Sequence, residues 1–219
     1  MENIHYYVCP TVDKPIVYCI RGKDGDLLID TGRKISVHSL DRWIGRNGFN
    51  IRYLLLTHGH FDHCWNAKFF KEKYKTKIIL HRDDLTLYRG ERKIPLVASS
   101  RHRLDAAGVA NHLLQTVRNP VTDIDYLIDD TDTDFLTGLG FDAQIVPLPG
   151  HTLGSVGVRT GDILYCGDAC SVVKGEYHTT FFGEDKAKIY ETEDRLLAMD
   201  LKIIAPGHGR LLYLDGKAD

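Results

Sequence analysis

Residues 57–63 read THGHFDH, directly after the apolar run IRYLLL at 51–56. Three imidazoles and a carboxylate crowd into this stretch. Neutral imidazole and ionised carboxylate together suit zinc and neighbouring first-row metals. In an extended loop, His58 and His60 point to the same side because they are two residues apart. Asp62 and His63 follow within reach of the same place. The chain holds 11 histidines in 219 residues. At that frequency, chance supplies roughly 0.003 matches to H-x-H-x-D-H over the whole length.

Other ligand-type residues stand in similar settings. His151 lies in PGHTLGS after the strand-like QIVPL, Asp168 in YCGDA after ILYC, and His208 in APGHG after KIIA. Each follows an apolar run that ends in a glycine-containing loop. Open α/β sheets build sites at strand ends, where loops from several strands converge. Seven ligand candidates exceed the needs of one tetrahedral zinc and suit two metals that share a bridging carboxylate.

The elements that must position these residues follow from periodicity. Strands are expected at 15–20, 26–30, 51–56, 77–80, 141–148 and 202–205, with a hairpin at 155–166 around the turn TGD. Helices are expected near 36–46, 64–74, 96–117 and 186–199. In the third of these, Leu104, Ala107, Ala110, Leu114 and Val117 share one face. Alternating strands and helices with added hairpins indicate α/β layers and mixed sheets. We read residues 1–219 as one domain with a helical insertion at about 85–118, either a cap that sets substrate choice or a peripheral or homodimer contact.

Composition removes several classes. The chain is 43% hydrophobic and 26% charged, with a net charge of −2. No long basic run supports nucleic-acid binding. No apolar stretch approaches the roughly 20 residues that span a bilayer, and no export signal is visible at the N-terminus. Five cysteines then read as reduced thiols in a cytoplasmic protein. The partner expected is a small-molecule substrate, with neither nucleic acid nor membrane.

In their order, H-x-H-x-D-H, P-G-H-T-x-G-S, G-D and P-G-H-G, together with LLIDTG at 27–32, resemble the metallo-β-lactamase superfamily from about residue 15 to 210. The resemblance implies a four-layer αβ/βα sandwich with a dinuclear site between the sheet edges. One metal would take His58, His60 and His151, the other Asp62, His63 and His208. Asp168 would bridge them, and Asp30 would orient a ligand. Asp62 and Asp168 are the carboxylates expected to serve catalysis. The cofactors implied are two divalent ions, zinc first, with iron or manganese as alternatives. Two such metals can hold a hydroxide that attacks an electrophilic carbonyl or phosphorus.

Within the superfamily, the pattern favours the glyoxalase II and lactonase side, with hydrolysis of a thioester, ester or lactone. The alternatives are a mononuclear-iron persulfide dioxygenase, a phosphodiesterase, or a non-catalytic metal-dependent sensor. Some relatives place a substrate-polarising side chain in the region of Tyr177 and His178, so these two are candidates for substrate contact. Cys64 and Cys166 are expected to be packed thiols. His5, His38, His81, His102 and His112 lack a partner pattern, and DDTDTD at 129–134 reads as a solvated loop.

Overall fold

The computed structural model describes residues 4–92, 97–98, 117 and 119–214. Strands are numbered in chain order. Six of them, β1 (His5–Val8), β2 (Ile16–Ile20), β3 (Asp26–Ile29), β4 (Ile51–Leu56), β5 (Lys77–His81) and β7 (Tyr126–Ile128), lie side by side in that order. The β1–β2 and β2–β3 pairs are antiparallel, and β3, β4, β5 and β7 run parallel. A second sheet has the order β15 (Leu212–Tyr213), β14 (Ile203–Pro206), β10 (Ile163–Gly167), β9 (Val156–Thr160), β8 (Gln144–Pro147). Its β10 and β14 are parallel, and the other pairs are antiparallel. Two small pairs complete the set: β11 (Cys170–Val173) with β12 (Glu176–Thr179), and β6 (Val97–Ala98) with β13 (Phe182–Gly183).

Alternation along each central strand explains the layering. A strand turns successive side chains to opposite faces. Leu54 and Leu56 of β4, with Ile78 and Leu80 of β5, face helices Val37–Arg46 and Ala67–Tyr74 through Leu40, Ile44, Ala67 and Phe70. Leu55 and Ile79 point the other way, to Ile145, Val156, Val158, Ile163 and Tyr165 of the second sheet. Helix Lys186–Leu197 covers the far side of that sheet, with Leu196 against Leu148, Leu164 and Ile204. Both faces of the parallel strands are therefore buried, as such strands require. The result is helix, sheet, sheet, helix, the αβ/βα sandwich expected. Among the described residues, no helix is long and apolar enough to cross a membrane.

The structure departs from the periodicity at several places. The helix expected over 64–74 is broken into Phe61–Cys64 and Ala67–Tyr74. At the break, the Asn66 side chain donates to the carbonyls of Thr31 and Arg33 at 2.8 and 2.9 Å. That anchors the first loop of the site to the turn after β3. The strand expected over 141–148 begins only at Gln144, because Phe141 and Ala143 instead join the apolar layer between the sheets. Edge strand β1 and hairpin β11–β12 were not expected, because the sequences HYYV, CSVV and EYHT show no clear polar–apolar alternation. Of the helix expected over 96–117 only 97–98 and 117 are described, and there Val97–Ala98 is strand β6, paired with β13, instead of helix. The rest of it, and with it most of the 85–118 insertion, lies outside the described residues, and at the start of the insertion Leu85–Tyr88 is a short helix.

Leu55 is fully buried between the two sheets. Leu55→Ala should cost about 2–5 kcal/mol of stability by chemical denaturation. A loss below about 1 kcal/mol would mean that this layer does not hold the sheets together.

Candidate metal centre

All seven ligand-type residues come together at the strand ends. His58, His60, Asp62 and His63 lie on the loop and short helix after β4, and His151 lies beyond β8. Asp168 follows β10, and His208 follows β14. Three groups have ligand atoms within 4.8 Å of one another: His58, His60 and His151; His58, His63 and Asp168; and Asp62, His63 and His208. Asp168 sits between the outer two. Its Oδ1 is 3.4 Å from His63 Nε2, and its Oδ2 is 3.5 Å from both His151 Nε2 and His208 Nε2. Asp62 Oδ2 is also 3.5 Å from His208 Nε2.

The partners behind the histidines decide what the inner nitrogens can do. His151 Nδ1 donates to the Phe182 carbonyl at 2.8 Å, and His208 Nδ1 to the Asp13 carbonyl at 2.7 Å. His63 Nδ1 donates to Asp30 Oδ2 at 2.7 Å. The Thr57 hydroxyl gives its one hydrogen to Asp30 Oδ2, so it accepts from His58 Nδ1 at 3.1 Å. In each neutral ring the proton therefore faces outward and the Nε2 lone pair faces inward. His63 Nε2 then meets His208 Nε2 at 3.2 Å, and His151 Nε2 meets His60 Nδ1 at 3.0 Å. His58 Nε2 and Asp168 Oδ1 are buried with no hydrogen-bond partner. Around His58 Nε2, His63 Nε2, His208 Nε2 and Asp168, acceptors thus face acceptors, a costly arrangement unless a cation lies among them. The mixed nitrogen and oxygen set fits a divalent first-row metal.

Proton affinities reflect the same crowding. Burial pushes His60 down to about 3, with the neighbouring His151 adding to the effect. Burial, then His63 and His60, likewise hold His58 well below the usual imidazole range. Burial also opposes charge on His208, but Asp168 and Asp62 outweigh it and raise this ring to about 9. His63 is raised in the same way, against burial, by Asp168 and Asp30. Burial favours a neutral Asp168, yet His208 and His63 keep it well below the ordinary carboxylate value. Without metal, protons occupy part of the place that cations would take.

Asp30, expected to orient a ligand, lies behind His63. It is buried, with φ of 62°, and also accepts the Thr57 N–H at 2.8 Å. Cys64 donates its thiol to the His58 carbonyl and belongs to the helix-facing core, apart from the three ligand groups. Cys166 and Cys170 are buried with their sulfurs 3.4 Å apart. Tyr177 packs against the apolar cluster that includes these two cysteines, and its hydroxyl is buried without a partner. His178, the next residue along β12, has its ring 6.3 Å from that of Phe181. His81 is buried, with Nε2 3.3 Å from Asp130 Oδ1, so part of the acidic run at 129–134 faces an imidazole. The sequence reading missed Thr57, Asp84 and the carbonyls of Asp13 and Phe182. A hydroxyl directly before His58 was a usable signal for Thr57, whereas backbone carbonyls leave none.

The description Metallo-beta-lactamase superfamily fits residues 11–208, and the chain belongs to that family. It is 22% identical over 197 residues to a hydroxyacylglutathione hydrolase of Pelagibacter ubique, covering 80% of this chain and 68% of that one. It is 24% identical over 197 residues to a probable metallo-hydrolase, YqgX, of Bacillus subtilis, covering 88% and 83%. The fold superposes on the crystal structure of TTHA1623 in a di-iron-bound form with a TM-score of 0.68 and 24% identity, over 95% of this chain and 94% of that one.

The raised His208 and His63 dictate how cation binding must respond to pH. A cation entering the Asp62, His63 and His208 group displaces protons at neutral pH. Its affinity for zinc should rise by about tenfold per pH unit for each proton displaced. The part of the rise that belongs to His208 should level off near its value of about 9. Competition with a chromophoric chelator between pH 6 and 9 reads this directly, and a flat affinity would contradict the proton-filled site.

Proposed function

We propose that the chain is a metal-dependent hydrolase of a thioester, ester or lactone that works with two divalent cations. The observation that carries this reading is the convergence of inward lone pairs from His58, His63, His151 and His208, with the His60 ring beside them, on the carboxylates of Asp62 and Asp168. Cations bound there supply Lewis acidity towards a carbonyl and activate water as the nucleophile. Zinc suits the donor set, and iron has the precedent of the di-iron neighbour. Thioesters head the substrates to test, a choice supported by the relatives named as hydroxyacylglutathione hydrolases from Pelagibacter ubique and Vibrio vulnificus.

Accessibility orders the roles of the side chains. The side chains of His58, His63 and His151 are buried, whereas those of Asp62, Asp168 and His208 are 15%, 18% and 26% exposed. Asp62, Asp168 and His208 are therefore the side chains open to solvent, and the substrate carbonyl approaches from their side. Asp168 holds the two groups in one frame. Asp62 is the carboxylate able to take a proton from the attacking water; burial favours its neutral form, but neighbouring His208 and His63 outweigh this and hold it ionised. His63 and His208 belong to a complete second ligand group, which favours two metals over the single iron of a persulfide dioxygenase.

The test is a panel of thioesters, lactones, simple esters and phosphodiesters against metal-loaded protein. Hydrolysis of a carbonyl substrate should vanish on chelation and return with metal. Asp168→Ala should lower kcat/KM by at least about a hundredfold while the fold survives. Full turnover by this variant would remove Asp168 from its central role. Cleavage of phosphodiesters alone would replace the substrate class. Oxygen uptake with a persulfide, and no hydrolysis, would replace the reaction.

A further inference from the structure

Asp84 lies outside the ligand cluster, yet its side chain is completely buried. It closes the 3-10 turn Arg82–Asp84 that leaves β5. Its Oδ2 accepts the Gly59 N–H at 2.7 Å and the Thr152 hydroxyl at 2.8 Å, and its Oδ1 accepts the Gly154 N–H at 3.0 Å. Gly59 separates His58 from His60, and Thr152 directly follows His151. One carboxylate therefore joins a loop of the first sheet to a loop of the second, and those loops carry all three members of the His58, His60 and His151 group.

The fit around this carboxylate is close. A Cβ on Gly59 would stand 2.9 Å from the Tyr88 nitrogen, and one on Gly154 would stand 2.8 Å from both the nitrogen and Oδ1 of Asp84. Both loops press on the Asp84 turn with no room for a side chain. The Gly59 carbonyl is engaged as well, accepting from Asn119 Nδ2 at 3.1 Å. The two peptides that join His58 to His60 are thus held from both sides. Glu184 supports the second loop by accepting the Leu153 N–H at 2.6 Å. Arg92 faces both buried carboxylates, 3.3 Å from Glu184 Oε1 and 3.8 Å from Asp84 Oδ1.

We infer that Asp84 is a positioning residue that sets the spacing of the three-histidine group across the two halves of the molecule. The inference rests on the proposed two-cation site. Groups behind metal ligands commonly govern affinity by about 10–100-fold. Asparagine keeps the size of Asp84 but turns an NH2 towards one of three donors, so at least one of these bonds is lost.

The experiment titrates metal-free protein with zinc against a chromophoric chelator and resolves two stepwise affinities. His151→Ala identifies the step that belongs to the three-histidine group. Asp84→Asn should weaken that step by about tenfold or more and leave the other within about threefold. Thr152→Val should weaken the same step by less, and Thr152→Ser should restore it. Thermal unfolding of each metal-free variant reports the fold separately. Equal loss at both steps, or no loss at either, would overturn the inference. If Asp84→Asn does not fold, the Thr152 pair decides alone. Affinities are read without substrate, so a wild type that binds two cations and cleaves no ester sinks only the hydrolase reading. A wild type that binds no cation overturns both.

Discussion

Each site histidine whose outer nitrogen meets an oxygen has its lone pair aimed at other acceptors. Thr57, Asp30 and two backbone carbonyls fix the outward protons of His58, His63, His151 and His208. What remains inside is a set of lone pairs and two carboxylates at mutual distances of 3.0–3.5 Å. Unless protons or metal ions intervene, such a set is repulsive, and burial removes the water that would soften it. The rest of the fold can be understood as what holds this arrangement against its own repulsion.

Neither half of the molecule contains the site. The first sheet delivers His58, His60, Asp62, His63 and Asp30, and the second delivers His151, Asp168 and His208. The apolar layer between them, from Leu55 and Ile79 to Val158 and Tyr165, therefore sets ligand spacing as well as stability. Tyr18 reinforces the junction by donating from β2 to the Pro206 carbonyl at 2.7 Å, two residues before His208. Gly207 leaves space for the Asp168 carboxylate, because a Cβ there would strike Asp168 Oδ1. Open cleft residues are backed by rigid strand ends, the usual division between chemistry and scaffold.

Much of this was legible in the sequence because metal ligation leaves residue types at fixed spacings. THGHFDH, PGH, GD and PGHG mark the ends of four strands, and the apolar runs before them mark the strands themselves. Contacts made by backbone carbonyls were not legible, since any residue can supply one; Asp13 and Phe182 are examples. Asp84 was hidden for a related reason, because its donors are two glycine N–H groups and a threonine far along the chain. The helix break at residues 65–66 escaped because its cause, the Asn66 side chain reaching Thr31 and Arg33, is tertiary. Tyr177, a candidate for substrate contact because some relatives place a polarising side chain in its region, pairs across β11–β12 opposite Val172 and packs against the core, a placement set by tertiary contacts.

The most direct test of the central claim is anomalous scattering from crystals grown with zinc, recorded at the metal edge. Two peaks per chain are predicted, one among His58, His60 and His151 and one among Asp62, His63 and His208, with Asp168 between them. A single peak in a fully loaded protein, or peaks away from these residues, would contradict the account.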